Sequence, residues 1–228
     1  MNWNKELIPL KNKLSPIIFW GALWGLEEAT LGHLLHISPI NLGWMFWFPL
    51  AYFFMLQVYK KTHQLSTVIL TSFVAAGIKL INIWMTPNLL IIICPVLSVI
   101  IEGCTFFLAG KIFTERQRPL VITLQTFIIS LSWRILYVIA ILTIPSEIMP
   151  LYPYGAIGPF IKFVFMEGIL NGALILISTM LSEKLSRYLR KRNIINSTGL
   201  CTALRDVSAK PVISFSLFVF ALFIQGIL

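Results

Sequence analysis

Apolar runs long enough to cross a bilayer recur along this chain, each closed by charged residues or by Pro and Asn. They fall at about 15–35, 42–59, 66–86, 89–110, 120–144 and 157–182, with a shorter one at 212–228. A helix needs about 20 apolar residues to cross the hydrocarbon core, so each of the six long runs predicts a transmembrane helix. Composition agrees: 57% hydrophobic and 12% charged residues, with a mean hydropathy of +0.85, leave too few polar side chains to coat a soluble globule of 228 residues. The expected fold is all-α, a polytopic membrane helix bundle. Residues 1–192 form one six-helix membrane domain, and 193–228 a polar linker with a C-terminal apolar segment. This composition excludes a disordered chain, a disulfide-built secreted scaffold and a nucleic-acid-binding domain, and it argues against a soluble enzyme.

Orientation follows from the basic residues. The segments His36–Asn41, Thr86–Asn88 and Pro145–Pro159 contain no Lys or Arg. On the opposite side lie Lys5, Lys11 and Lys13, then Lys60 and Lys61, then Lys111, Arg116 and Arg118, then Lys184, Arg187, Arg190, Lys191 and Arg192. The basic side is cytoplasmic, which places the N-terminus and residues 184–192 inside and expects a multi-pass protein of the cell membrane. The +9 net charge is thus spread over inner loops, not gathered into a nucleic-acid patch. The run that follows the polar N-terminus carries Glu27 and Glu28 and no small-residue cleavage site, so it reads as a retained first span and not a signal peptide. Cys94 and Cys104 stand about 15 Å apart along one helix and cannot bridge. The last segment, Pro211–Leu228, reads as a seventh helix, a surface-lying segment or a loosely packed tail; if it spans, the C-terminus is outside.

Charges within a bilayer cost at least about 2.5 kcal/mol each, so Glu27, Glu28, Lys79, Glu102, Arg134, Lys162 and Glu167 should face the bundle interior or water. Counting the helical rise, Glu27, Glu28, Lys79 and Arg134 fall near the middle or outer half of the membrane, and Glu167 near its middle. Glu102 falls deeper toward the cytoplasm and Lys162 close to the outer surface. Two readings stand side by side: interhelical salt bridges that fix packing, or groups that bind a ligand. There is also a short internal repeat. Lys79 is followed by a Pro-containing loop, Pro95 and Glu102-Gly103; Arg134 is followed by a Pro-rich loop, Pro159 and Glu167-Gly168. Duplicated helical hairpins are a common way to build transporters.

The first run carries the densest signal. Trp20, Trp24, Glu27 and Glu28 share one arc of the helix, while Gly21, Gly25 and Ala29, each four apart, make a small-residue seam beside it. One face suits a ligand and the other a partner helix. Trp stacks on rings and Glu accepts hydrogen bonds from a polar edge, a combination that fits a small heterocyclic metabolite; packing is the plainer role for each tryptophan. His33 and His36 point away from the Glu27 and Glu28 directions, so this helix alone does not build a metal site, and neither metal nor cofactor is expected. A Glu-Glu pair also occurs in Abi-type membrane proteases, but their Glu-Glu-xxx-Arg pattern has Gly32 here in place of Arg. HExxH and Gly-x-Ser-Gly are both absent. No catalytic residue is assigned, and an intramembrane enzyme is the weaker reading.

In size, in six helices with both flanks cytoplasmic and in the Gly21-xxx-Gly25-xxx-Ala29 seam, the chain resembles a substrate-binding S component of energy-coupling factor transporters over roughly residues 10–192. The resemblance implies capture of a small polar micronutrient in the outer half of the bundle, with uptake powered by separate ATPase subunits through a transmembrane coupling subunit that docks on the seam. The pocket residues would be Trp24, Glu27, Glu28, Lys79, Arg134 and Glu167. No P-loop is present, so this chain itself does not hydrolyse ATP. The competing class is a membrane scaffold or interaction protein, whose buried charges staple helices and whose seam mediates association.

Overall fold

The computed structural model describes residues 10–37, 43–84, 89–112, 119–144, 156–191 and 200–226, and every regular element among them is helical. The helices follow the apolar runs: α1 (Leu10–Ile37), α2 (Gly43–Thr62), α3 (Ser66–Leu80), α4 (Leu89–Ile112) and α5 (Pro119–Leu142). A short α6 (Ile157–Ile161) passes through one π turn, Lys162–Met166, into α7 (Glu167–Lys191), and α8 (Leu200–Val207) and α9 (Pro211–Gln225) follow. Lys5, Arg116, Arg118, Arg192, the segments 38–41, 86–88 and 145–155, and the side chains of His33 and His36 lie outside the described residues.

Among the described residues, three helices are long and apolar enough to cross a membrane: Ile92–Ile112, Val121–Leu142 and Ile157–Leu181. α3 and α9 are apolar but only 15 residues each, about 22 Å at the helical rise. A 3-10 turn, Ile81–Trp84, extends α3. Large apolar side chains stand exposed along α5, α7 and α9, among them Ile139, Leu142, Ile169, Ile177, Phe215 and Phe223. Water penalises such a surface and lipid does not.

The helices close a ring. α1 packs on α3, α3 on α4, α4 on α5, α5 on α7, α7 on α2, and α2 returns to α1. Glycines set the closest approaches. A Cβ added at Gly21 would lie 2.7 Å from Val74 Cβ of α3, and one at Gly25 would lie 2.8 Å from Ile78 Cδ1. From the other side of α3, a Cβ at Gly103 of α4 would strike Ser72 Oγ, and one at Gly110 would strike Leu65. Gly168 and Gly172 do the same for α7 against Leu131 and Phe127 of α5. Such contacts let backbones approach where lipid offers no hydrophobic drive for helix association. They also correct an expectation: the Gly21, Gly25, Ala29 seam is not a free docking face. It lies against α3 of the same chain, and Ala29 is buried.

The α2–α3 corner is tight and locally polar. His63 adopts the left-handed conformation, φ 54°, which reverses the chain directly after α2. The hydroxyls of Thr62 and Thr67 share a 2.7 Å hydrogen bond. α9 docks outside the ring, along α1 and parallel to it: Ser214 meets Ser15 at 2.8 Å, and Ala221 packs with Ala22 and Ile78. Ser15 also donates to the carbonyl of Ser208 at 2.8 Å, and Lys61 of α2 pairs with Asp206 of α8 at 3.2 Å. The described part of the C-terminal segment, Pro211–Gln225, is a helix packed along α1.

Gly103→Val should lower stability by about 1–3 kcal/mol, the usual cost of overpacking. Gly77→Ala, where a Cβ meets nothing within 4 Å, should leave it unchanged or slightly raised. Thermal unfolding of the two variants in detergent checks both.

Candidate functional site

Positions 20, 24 and 27 recur at helical spacing, so α1 carries Trp20, Trp24 and Glu27 on one face. All three are buried, Trp24 completely and Glu27 with 7% of its surface exposed. Trp20 is held by aromatic packing, edge-on to Phe19 and to Phe53 of α2 at centroid distances of 5.1 and 6.1 Å. Among the described residues, neither indole N–H has a hydrogen-bond partner, and neither does either carboxyl oxygen of Glu27. A buried donor or acceptor left unpaired costs about 1–3 kcal/mol and a charged one more, so among the described residues of α1 the unsatisfied polar atoms gather on this face.

Three further charged groups gather beside it. Lys79, near the end of α3, donates to the main-chain carbonyl of Glu28 at 3.4 Å, and its charge acts on both Glu27 and Glu28. Glu102 reaches the two acids electrostatically from α4. It is 5% exposed and accepts a 3.1 Å hydrogen bond from the Ser98 hydroxyl one turn away. Three carboxyl groups and one ammonium thus lie within electrostatic reach of one another across α1, α3 and α4.

Arg134 of α5 builds the neighbouring centre. Its guanidinium lies 4.5 Å from the Trp133 ring centroid, 5.3 Å from Phe163 and 5.9 Å from Phe48. Trp133 stacks on Phe48 at 5.3 Å and meets Phe163 edge-on at 5.9 Å. Desolvated cation–π contacts of this kind reach about 2 kcal/mol. The guanidinium also donates to the Ser130 carbonyl at 3.2 Å, and the Ser130 hydroxyl donates to the Gly168 carbonyl of α7 at 2.7 Å. Arg134 acts electrostatically on Glu102 and on the half-buried Glu167. Glu167 follows the π turn, whose i→i+5 bond runs from its own N–H to the Lys162 carbonyl.

No protein-family model, curated protein or solved structure matches this chain. Its chemistry is therefore read from its own geometry. Of the residues singled out in the sequence, Trp24, Glu27, Glu28 and Lys79 come together, Arg134 and Glu167 form an adjoining centre, and Lys162 is exposed. Glu102 links the two centres. The sequence marks it as a buried charge but does not place it among the pocket residues. Phe48 and Phe163 carry no signal of their own, although Trp133 adjoins Arg134 in the chain. Among the described residues, no group of three or more His, Cys, Asp or Glu is placed to hold a metal ion.

Arg134→Met removes a guanidinium that is held by three rings and acts electrostatically on the buried Glu102 carboxyl, and stability should fall by about 2 kcal/mol or more. Adding Glu102→Gln should restore a measurable part of it. A double-mutant cycle on unfolding midpoints reads the coupling.

Proposed function

We propose that this chain is a membrane-embedded substrate-binding subunit that captures a small polar micronutrient, with uptake powered by separate ATPase subunits. The observation that carries the reading is the buried face of α1. There the Trp24 indole N–H and both Glu27 oxygens have no partner among the described residues, while Glu28, Lys79 and Glu102 act electrostatically on Glu27. Charges that only staple helices would be expected to consume one another's hydrogen-bonding capacity; those of Glu27 are left for a ligand. Trp24 would stack on or donate to the substrate, the carboxylates would accept from its donors, and Lys79 would meet its acceptor end.

In the orientation proposed here, α1 to α5 and the α6–α7 unit cross the cell membrane, with the N-terminus and residues 184–192 in the cytoplasm. The likeness to energy-coupling factor S components rests on size and helix pattern. Because α3 covers the Gly21 seam, a coupling subunit would have to dock on another face. The Arg134 centre favours a second reading for its own part of the molecule. Three rings and the Ser130 carbonyl hold its guanidinium, so in that reading it is a staple between α5, α7 and α2, and it forms a wall of the site.

Mass spectrometry of small molecules extracted from the gently purified protein should reveal a specific metabolite absent from a mock preparation. Glu28→Gln should lower its retention without moving the unfolding midpoint. Unchanged retention removes Glu28 from the site. A parent protein that retains nothing favours the scaffold class.

A further inference from the structure

We infer that the substrate of this site is an organic cation whose positively charged group seats against Glu27. The inference rests on the binding reading above and adds the charge of the bound molecule. Its first support is the distribution of charge. Among the described residues, Lys79 is the base that acts on both Glu27 and Glu28, while Arg134 acts on Glu102 and Glu167 on the other side. The described residues of the other helices packed on α1 bring no further base to Glu27. α9 contains no charged residue, and the bases of α2, Lys60 and Lys61, lie in its last turn, with Lys61 paired to Asp206. Both carboxyl oxygens of Glu27 are buried without a hydrogen-bond partner among the described residues, so a cationic donor is the group this side lacks.

The second support is independent of the acids. Trp24 is fully buried, and its indole N–H is unpartnered among the described residues. It stands one helical turn from Glu27 on the same face. An indole ring attracts cations, and its N–H calls for an acceptor. The two residues together suit a molecule that carries a positive nitrogen and a hydrogen-bond acceptor a few bonds apart. A bare divalent ion fits less well, because no three acids or other ligating side chains among the described residues converge closely enough to coordinate one.

The test uses three pyridines of one shape that differ in charge: 3-(aminomethyl)pyridine, protonated on its amine at neutral pH; 3-pyridinemethanol, neutral; and nicotinate, an anion. Each is titrated calorimetrically into the detergent-purified full chain. The aminomethyl compound should bind saturably and more tightly than the other two, and Glu27→Gln should weaken it by about thirtyfold or more, as loss of one partner of a buried charge pair does. Equal or tighter binding of the alcohol or of nicotinate overturns the cationic assignment and leaves the binding reading in place. Equal affinity in the parent and in Glu27→Gln overturns it as well, since Glu27 would then be satisfied by a proton alone. If Glu27→Gln fails to fold, Trp24→Phe takes its place: it keeps a ring but removes the N–H, and it should weaken the aminomethyl compound several-fold, with unchanged affinity overturning the assignment. If none of the three binds, the inference fails, while the binding reading stands or falls on the co-purified metabolite.

Discussion

The close approach of α1 and α4 to the two sides of α3 governs the rest of the structure. α3 is short, and it is gripped through positions where its neighbours have no side chain: Gly21 and Gly25 on α1, Gly103 and Gly110 on α4. Between apolar helices in lipid there is little hydrophobic force, so such contacts supply dispersion and geometry together. The consequence is electrostatic. Lys79 sits near the end of α3 and reaches the Glu28 carbonyl, and Glu102 immediately precedes Gly103. Any side chain that pushed α3 away from α1 would also withdraw the ammonium from Glu27 and Glu28. Packing and charge balance are therefore one constraint, not two.

The interior buries charge in two different ways. Arg134 is enclosed by the faces of Trp133, Phe163 and Phe48 and bonded to the Ser130 carbonyl; the Ser130 hydroxyl in turn ties α5 to α7. That centre is stabilised by protein groups. Glu27 has none of this, for its two oxygens lack hydrogen-bond partners among the described residues. A low-dielectric interior strengthens satisfied polar contacts and makes unsatisfied ones costly. The asymmetry sets a satisfied centre apart from one left unsatisfied among the described residues, and Glu102 acts electrostatically toward both.

Much of the fold is legible in the sequence because it depends on run length and hydropathy, which are local properties. The helices begin and end within a few residues of the apolar runs, apart from α7, which continues into the charged segment to Lys191. What the sequence does not reveal is which helix faces which. The Gly21 seam is visible as a pattern, but a pattern of small residues does not say whether its partner is another protein or α3. The ring cage of Arg134 draws Phe48 from α2, Trp133 from α5 and Phe163 from the π turn, a convergence no local spacing encodes. Glu102 was legible as a buried charge but not as a neighbour of Glu27. Its place depends on how α4 is set against α1, and no count along a single helix contains that.

The π turn resolves the weakest point of the internal repeat. Glu102-Gly103 follows Pro95 by seven residues and Glu167-Gly168 follows Pro159 by eight, and in a regular α-helix one extra residue would swing Glu167 about 100° around the axis. Lys162–Met166 lies between Pro159 and Glu167 and takes up the added residue as one wider turn. Downstream of it, Gly168 meets Leu131 and the Ser130 carbonyl of α5 much as Gly103 meets Ser72 of α3. Each glycine fixes the acid before it against a helix that carries a base, Lys79 in one hairpin and Arg134 in the other. The mismatch in spacing that blurs the repeat in the sequence coincides with the π turn, and the two acids end in different surroundings, Glu102 buried and Glu167 half-buried.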